Sequence, residues 1–578
     1  MDVASAAENT TETVDVTAEA ESAIQGANPF VGLNGRQMAA ALARWGSRLL
    51  RDPALLASRA LALTGEELRV VAGVSTIEPD RQDKRFTDQA WSGPRWKRVK
   101  QGYLAARSAV LDTVDDLDLD QGSADRARFT LMQVTEALAP TNNLLLNPVA
   151  LRKAGRTRGR SLIDGTRHFA WDMRHNGGMP SQVDTRPFEV GRTLALSAGA
   201  VIERTEQYEL IQYAPTTPTV RARPLMIIPP QINRFYFLDL APGRSFIEHA
   251  VAQGLQVFVI SWRNPGPEHA SWGIDTYVSA CLQAIDTTCA IAKSQDVNVI
   301  GFCSGGMTQS LLAGHLAAIG SEVIHANALA VTSIDAEAKS VINMFVNERT
   351  AASSIEQSQR KGMLEGRELA KVFAWVRPND LVWNYWVSNY LLGQTPPAFD
   401  VLAWNSDATN LPATLHAEFV KMMMDNALMH PNSVTALGTP IDLSKVESDL
   451  YVVGAVTDHL VPWQAAYSAT QVYGGTARFV LSNSGHIQAL INPPGNPKAS
   501  FLAADSYPPD ANDWLHAAIL QQGSWWSDWA AWTIERSGRT KKAPMRLGNS
   551  AHPVIADAPG TYVKRDRSEG GPEAAWRE

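Results

Sequence analysis

The sequence predicts an α/β protein in which a mainly helical domain leads into a parallel-sheet domain carrying a helical insertion. Three observations lead there. From about residue 207 onward, short apolar runs alternate with helical stretches, the pattern of strands joined by crossover helices. A helical, tryptophan-rich stretch, roughly 336–446, interrupts that alternation. One apolar run, Val297–Ile300, ends in the tight turn Gly301-Phe302-Cys303-Ser304-Gly305 before a helix-like run from Thr308 to Ala318.

Taken in order, residues 1–27 hold Asp2, Glu8, Glu12, Asp15, Glu19 and Glu21 with no lysine or arginine and few large apolar groups. Such a segment buries too little surface to order itself and is expected to be disordered. Residues 28–205 read as the helical N-terminal domain: Gly35–Leu63, Trp96–Val114 and Ser123–Ala139 have 3.6-residue apolar spacing. Pro140-Thr141-Asn142-Asn143 stops the third helix, and Asn176-Gly177-Gly178-Met179-Pro180 is a strong break. Residues 206–545 form the sheet domain. Gln207–Tyr213 alternates like an exposed edge strand, and Leu225–Ile228, Val257–Ser261, Val297–Ile300 and Ala326–Val331 are of buried type. After the insertion, which holds Trp375, Trp383, Trp386 and Trp404, strands resume at Leu450–Val456 and Arg478–Leu481. Trp525-Trp526-Ser527-Asp528-Trp529 with Trp532 reads as a helix with its aromatic residues bunched on one side, expected to dock on the sheet, with contact to polymer or a partner surface as the alternative. Residues 546–578, polar and containing Gly and Pro, read as a loosely ordered tail.

Composition narrows the class. The chain has 578 residues, 45% hydrophobic and 19% charged, with net charge −7 and no long basic stripe, so nucleic acid is not an expected partner. Three cysteines (Cys281, Cys289, Cys303) make no disulfide framework for a chain this size, and a reducing, cytoplasmic compartment fits them. No basic-then-apolar leader opens the chain, and no apolar run approaches the ~20 residues that span a bilayer. Cys281 and Cys289 share a helix without further His or Cys to complete a zinc set, so no metal is expected.

Strand, Gly-x-Cys-x-Gly turn and helix together form the nucleophile elbow of an α/β-hydrolase fold, with cysteine where serine usually sits. The outer glycines permit a strained turn and a close approach of strand and helix. In this fold the acid and the histidine follow the nucleophile in chain order. His486, in the loop after the last parallel strand, is the expected base, and Asp458, after Leu450–Val456, the expected acid. His459 competes as base and Asp335 as acid, since each adjoins or ends a strand-like run. Acyl transfer also needs two oxyanion donors. The N–H of Ser304 is one; the second is expected from Pro229-Pro230-Gln231-Ile232-Asn233, at Ile232 or Gln231.

These residues resemble the polyhydroxyalkanoate synthases, bacterial enzymes that polymerise 3-hydroxyacyl-CoA into storage polyester. Ala139-Pro140-Thr141-Asn142, His175–Gln182, Pro229–Asn233, Ser261–Pro265, Arg377–Asp380 with Trp383–Trp386, Asp458-His459 with Pro462-Trp463, and Gly485-His486-Ile487 with Asn492-Pro493-Pro494 match family runs. The match covers about 28–565, and Gly485–Gln488 with Asn492–Lys498 are most similar to the synthases that take medium-chain monomers. The resemblance implies that Cys303 is acylated, His486 its base and Asp458 the third member. It also implies a movable cap, a homodimer, contact with granule-coat proteins, and residence on cytoplasmic polymer granules.

A cysteine suits that chemistry. Attack on acyl-CoA exchanges one thioester for another, so the acyl group stays activated until a hydroxyl takes it to the more stable oxygen ester. No cofactor is expected, because CoA is only the leaving group. Water must be excluded, and the tryptophan-rich insertion is a plausible screen. Thr332, just after a strand, and Gln488, two past His486, are candidates for lining the acyl pocket. The competing functions are a cysteine-dependent acyl-CoA thioesterase, a non-catalytic granule scaffold and, disfavoured by the cysteine, a polyester depolymerase.

Overall fold

The computed structural model describes residues 35–80, 83–338, 348–376, 378–458 and 460–564. The acidic segment 1–27, Arg377, His459 and the last part of the tail lie outside the described residues. Two units divide the chain: 35–185 with 371–399, and 186–370 with 400–564.

The helical unit holds α1 (Gly35–Arg51), α2 (Pro53–Ala72), α3 (Pro94–Asp116), α4 (Gln121–Ala137), α5 (Pro148–Arg156) and α6 (Arg160–His175). The single helix expected over Gly35–Leu63 is two. Pro53 offers no N–H and pushes Asp52 out of helical geometry, and the Asp52 carboxylate then caps α2 by accepting from the Leu55 N–H. Gly73, left-handed at φ 78°, ends α2. Asp120 and Asn147 cap α4 and α5 in the same way as Asp52. Between α3 and α4, Leu111, Val114, Ala127 and Leu131 form a small apolar core. Beside it the buried Glu136 carboxylate takes Arg85 and Arg107 as charged partners.

Residues 371–399 belong to this same unit, so three of the four tryptophans expected in one continuous cap do not cluster with the sheet. Trp375, Trp383, Trp386 and Tyr390 meet edge to face, with ring centroids 6.0, 6.0 and 5.1 Å apart in succession. Tyr390 also donates to the buried Asp172 carboxylate, and a side chain on Gly165 would run into the Tyr390 carbonyl. These local ties, absent from any periodic pattern, draw the segment to the helices.

The second unit is built on an 11-stranded sheet. Its strands are β1 (Gly199–Arg204), β2 (Tyr208–Tyr213), β3 (Leu225–Ile228), β4 (Val257–Trp262), β5 (Val297–Phe302), β6 (Ile324–Ala330), β7 (Asp449–Ala455), β8 (Ala477–Ser482), β9 (Ser500–Ala503), β10 (Ile519–Gln522) and β11 (Ala556–Asp557). They lie in the order β10-β9-β8-β7-β6-β5-β3-β4-β2-β1-β11. From β4 through β3, β5, β6, β7 to β8 every pairing is parallel, and β2 and β9 are antiparallel to their neighbours. The parallel strands are apolar almost throughout because both faces are covered. On one face Trp525, Trp526 and Trp529, from the helix Trp525–Glu535, pack with Phe246 and Phe302 in the main core, the docking expected of that helix.

Three expectations are corrected at the far edge of this sheet. β2 is not an exposed edge strand: all six residues are buried between β1 and β4. The helical domain stops near residue 185, not 205, because β1 is a sheet strand. The tail is not loose up to residue 564, since β11 pairs with β1. The buried Glu209 carboxylate accepts from the Thr561 and Tyr562 N–H groups (2.8 and 2.9 Å) and from the Thr561 hydroxyl, while Arg204 balances its charge. Glu209→Ala removes the one acceptor of all these donors. It is expected to cost about 3 kcal/mol and to open the chain beyond residue 545 to protease, read by chemical denaturation and limited proteolysis.

Candidate active site

The elbow joins β5 to the helix Ser304–Ala318. Cys303 sits between them at φ 51°, ψ −122°, a conformation that is costly for a residue with a side chain. Its N–H donates to Ala330 of β6 (2.9 Å), and its carbonyl accepts from Gly306 N–H (3.0 Å), which pins the turn. Small residues make the turn possible. A Cβ on Gly301 would lie 2.6 Å from the Gly306 Cα, and one on Gly305 would lie 2.6 Å from the Pro229 carbonyl oxygen. Gly305→Ala is therefore expected to cost about 3 kcal/mol by overpacking and to cripple whatever Cys303 does, measured by thermal unfolding and thiol alkylation.

The loops after β7 and β8 bring Asp458 and His486 together. Thr457 N–H donates to Ser484 (3.2 Å) and ties one loop to the other. His486 Nδ1 lies 2.6 Å from Asp458 Oδ2, and both side chains are buried. The second carboxylate oxygen accepts from the Leu460 and Val461 N–H groups (2.8 and 2.9 Å), so Asp458 is held from both ends. Nδ1 faces the acid, and Cys303 is close enough to the ring to act on its charge. Burial pulls the imidazole pKa down. The Asp458 charge and hydrogen bond, helped by Cys303, outweigh it and push the pKa up to about 10.

Of the competitors, Asp335 is occupied elsewhere: its carboxylate accepts from the Glu337 and Ala338 N–H groups and from the Asn426 amide. His459 lies outside the described residues. Cys281 is wholly buried and Cys289 half-buried; desolvation raises both thiols, Cys289 to about 11, so neither is poised as a thiolate.

Thr332 is 0% exposed, and its hydroxyl donates to the Cys303 and Ala330 carbonyls (both 3.3 Å). It stands against the elbow, where a side chain on Gly306 would strike it. Gln488 lies on the solvent-exposed side of the helix His486–Leu490.

The loop after β3 packs on the elbow. Gln231 N–H donates to Ser304 Oγ (3.3 Å), and the Gln231 amide reaches Thr308 Oγ1 (2.9 Å). Its outer side is held by Thr409, whose hydroxyl donates to the Gln231 carbonyl (2.7 Å) and whose N–H donates to the Ile232 carbonyl (3.2 Å). Thr409 went unseen in the sequence because it lies within the insertion, far along the chain, and nothing about a lone threonine marks a partner there.

A strand-turn-helix elbow on a mixed sheet, with an acid and a histidine on the loops after later strands, defines an α/β-hydrolase-fold protein, and residues 237–493 match the family described as alpha/beta hydrolase fold. Residues 82–250 match the family described as Poly-beta-hydroxybutyrate polymerase (PhaC) N-terminus. Over 93% of its length the chain is 44% identical to poly(3-hydroxyalkanoate) polymerase 1 of Ectopseudomonas oleovorans, covering 96% of that protein. It is 39% identical to the poly(3-hydroxyalkanoate) polymerase subunit PhaC of Cupriavidus necator, over 83% of each chain. The chain belongs to the poly(3-hydroxyalkanoate) polymerase family.

Proposed function

We propose that the protein polymerises 3-hydroxyacyl-CoA into polyhydroxyalkanoate, with release of CoA, through an acyl group carried on Cys303. Membership of the polymerase family supports the overall reaction. The observation that carries the route is the hydrogen bond between Asp458 and His486, with Cys303 at the tip of the elbow near enough to help raise the His486 pKa.

In this reading His486 takes the Cys303 proton and the thiolate attacks the acyl-CoA carbonyl. A new C–S bond forms to Cys303, the bond to CoA breaks, and CoA leaves as a thiol with the proton returned by His486. The hydroxyl of a chain end or of another monomer then attacks the Cys303 thioester and gives its proton to His486. The oxygen ester forms, and Cys303 leaves and is reprotonated. Asp458 keeps the imidazole in one tautomer and stabilises its charged form. The negative oxygen of each tetrahedral intermediate is held by the N–H groups of Ser304 and Ile232. Ile232 is preferred to Gln231 because the Gln231 N–H already donates to Ser304 Oγ. The reaction as written needs no cofactor.

Incubating the protein with 3-hydroxyacyl-CoA of several chain lengths, while following CoA release and isolating the product, tests the reading. Polymer with free CoA is expected; free hydroxy acid would instead mean a thioesterase. As part of the same proposal the protein acts as a homodimer in the cytoplasm at the surface of polymer granules, with granule-coat proteins as neighbours. No helix among the described residues is long and apolar enough to cross a membrane.

A further inference from the structure

The Gln231–Ile232 peptide is trans, so its carbonyl and its N–H point in opposite directions. The carbonyl faces residue 409, where the Thr409 hydroxyl holds it at 2.7 Å. The preceding N–H, that of Gln231, faces the elbow through Ser304 Oγ. The peptide thus lies between the elbow and Thr409, and a carbonyl held on the Thr409 side turns the Ile232 N–H toward the elbow. A second bond, from Thr409 N–H to the Ile232 carbonyl, and an antiparallel bridge between Asn233 and Ala408 stop the next peptide from following a rotation. Thr409 is itself fixed: it is buried, and the neighbouring Asn410 is bonded to Asn264 and to the Pro265 carbonyl.

We propose that Thr409 is a positioning residue for acyl transfer, its hydroxyl setting the direction of the Gln231–Ile232 peptide so that the Ile232 N–H is preformed as an oxyanion donor. The inference rests on Cys303 being the acylated nucleophile. Without the hydroxyl, the Gln231 carbonyl is a buried acceptor lacking its donor, and a peptide flip would relieve it. The flip would turn an acceptor toward the developing negative oxygen, where a donor is needed. The segment that carries Thr409 lies in the long insertion between β6 and β7, so part of the insertion sets the reactivity of the elbow.

The test compares two reactions of the same sulfur. Acylation by 3-hydroxyacyl-CoA passes through an oxyanion, whereas alkylation by iodoacetamide does not. Thr409→Val keeps the shape and removes the hydroxyl. It is expected to lower kcat for CoA release about 10- to 100-fold, less than complete loss of an oxyanion donor, with KM nearly unchanged. The rate of Cys303 alkylation should stay within about twofold, and Thr409→Ser should restore kcat to within about threefold. Should the valine variant fail to fold, judged by its thermal transition, Thr409→Ala is read in the same way. Full turnover in the variant that lacks the hydroxyl, or a parallel loss of alkylation and turnover, overturns the assignment, the second outcome meaning that Thr409 only supports the fold. If alkylation of wild-type Cys303 leaves CoA release intact, the nucleophile itself is wrong and the proposal falls with it, a result that needs no Thr409 variant to recognise.

Discussion

Cys303→Ala is expected to abolish both CoA release and polymer, a loss of about 10⁴-fold or more, with the fold intact by circular dichroism. Neither of the other two cysteines can take its place. Cys281 is wholly buried, and Cys289 is half-buried with its thiol raised to about 11. Serine at 303 is the more informative replacement. It would be acylated to an oxygen ester already as stable as the product, which removes the drive for chain transfer. The serine variant is therefore expected to accumulate acyl-enzyme with at most one equivalent of CoA released, detectable by mass spectrometry of the intact protein. Steady polymer formation by either variant would end the cysteine-linked scheme.

Asp458→Asn is expected to be the next most damaging change, lowering turnover about 10²- to 10⁴-fold. Asparagine can still accept from the Leu460 and Val461 N–H groups, so the loop should persist while the charge beside His486 is lost. Its pH dependence carries a definite sign. Folding raises the His486 pKa from the ordinary 6.5 to about 10, chiefly through Asp458 acting against burial. A raised pKa means that the folded state binds the proton more tightly than the unfolded chain does. The resulting stabilisation is complete below about pH 6.5 and is lost as pH rises through about 10. The stability gap between wild type and the asparagine variant should therefore be widest near pH 6.5 and close toward pH 10, as followed by thermal unfolding at several pH values. A gap that widened with pH would contradict the charge pairing. Iodoacetamide labelling of Cys303 at neutral pH should slow in the same variant, because its partner imidazole has lost the charge that favours the protonated form.

Part of the site was legible because it is written locally. The elbow is a contiguous strand, turn and helix whose glycines are required by contacts a few residues away, as when Gly301 meets Gly306. Asp458 and His486 were legible by order, each following an apolar run, and parallel strands deliver their following loops to one rim of the sheet. Thr332 was named for its place just after a strand and Gln488 for its place two past His486, and neither position says which way a side chain turns. The Thr332 hydroxyl went to the Cys303 and Ala330 carbonyls, and Gln488 went to solvent.

The sequence by itself determined the α/β class, the parallel strands β3 to β8, the cysteine elbow and the helix that docks Trp525, Trp526 and Trp529, because hydrophobic periodicity and tight turns are short-range properties of the chain. Tertiary structure alone decided that β2 is buried, that β1 and β11 extend the sheet, that residues 371–399 join the helical unit and that Thr409 holds the loop after β3. Each of these depends on a few hydrogen bonds or close contacts between residues distant in sequence: Glu209 with Thr561, Tyr390 with Asp172, Thr409 with Gln231. A single polar side chain carries no periodicity, so its partner becomes known only once the fold has brought the two together.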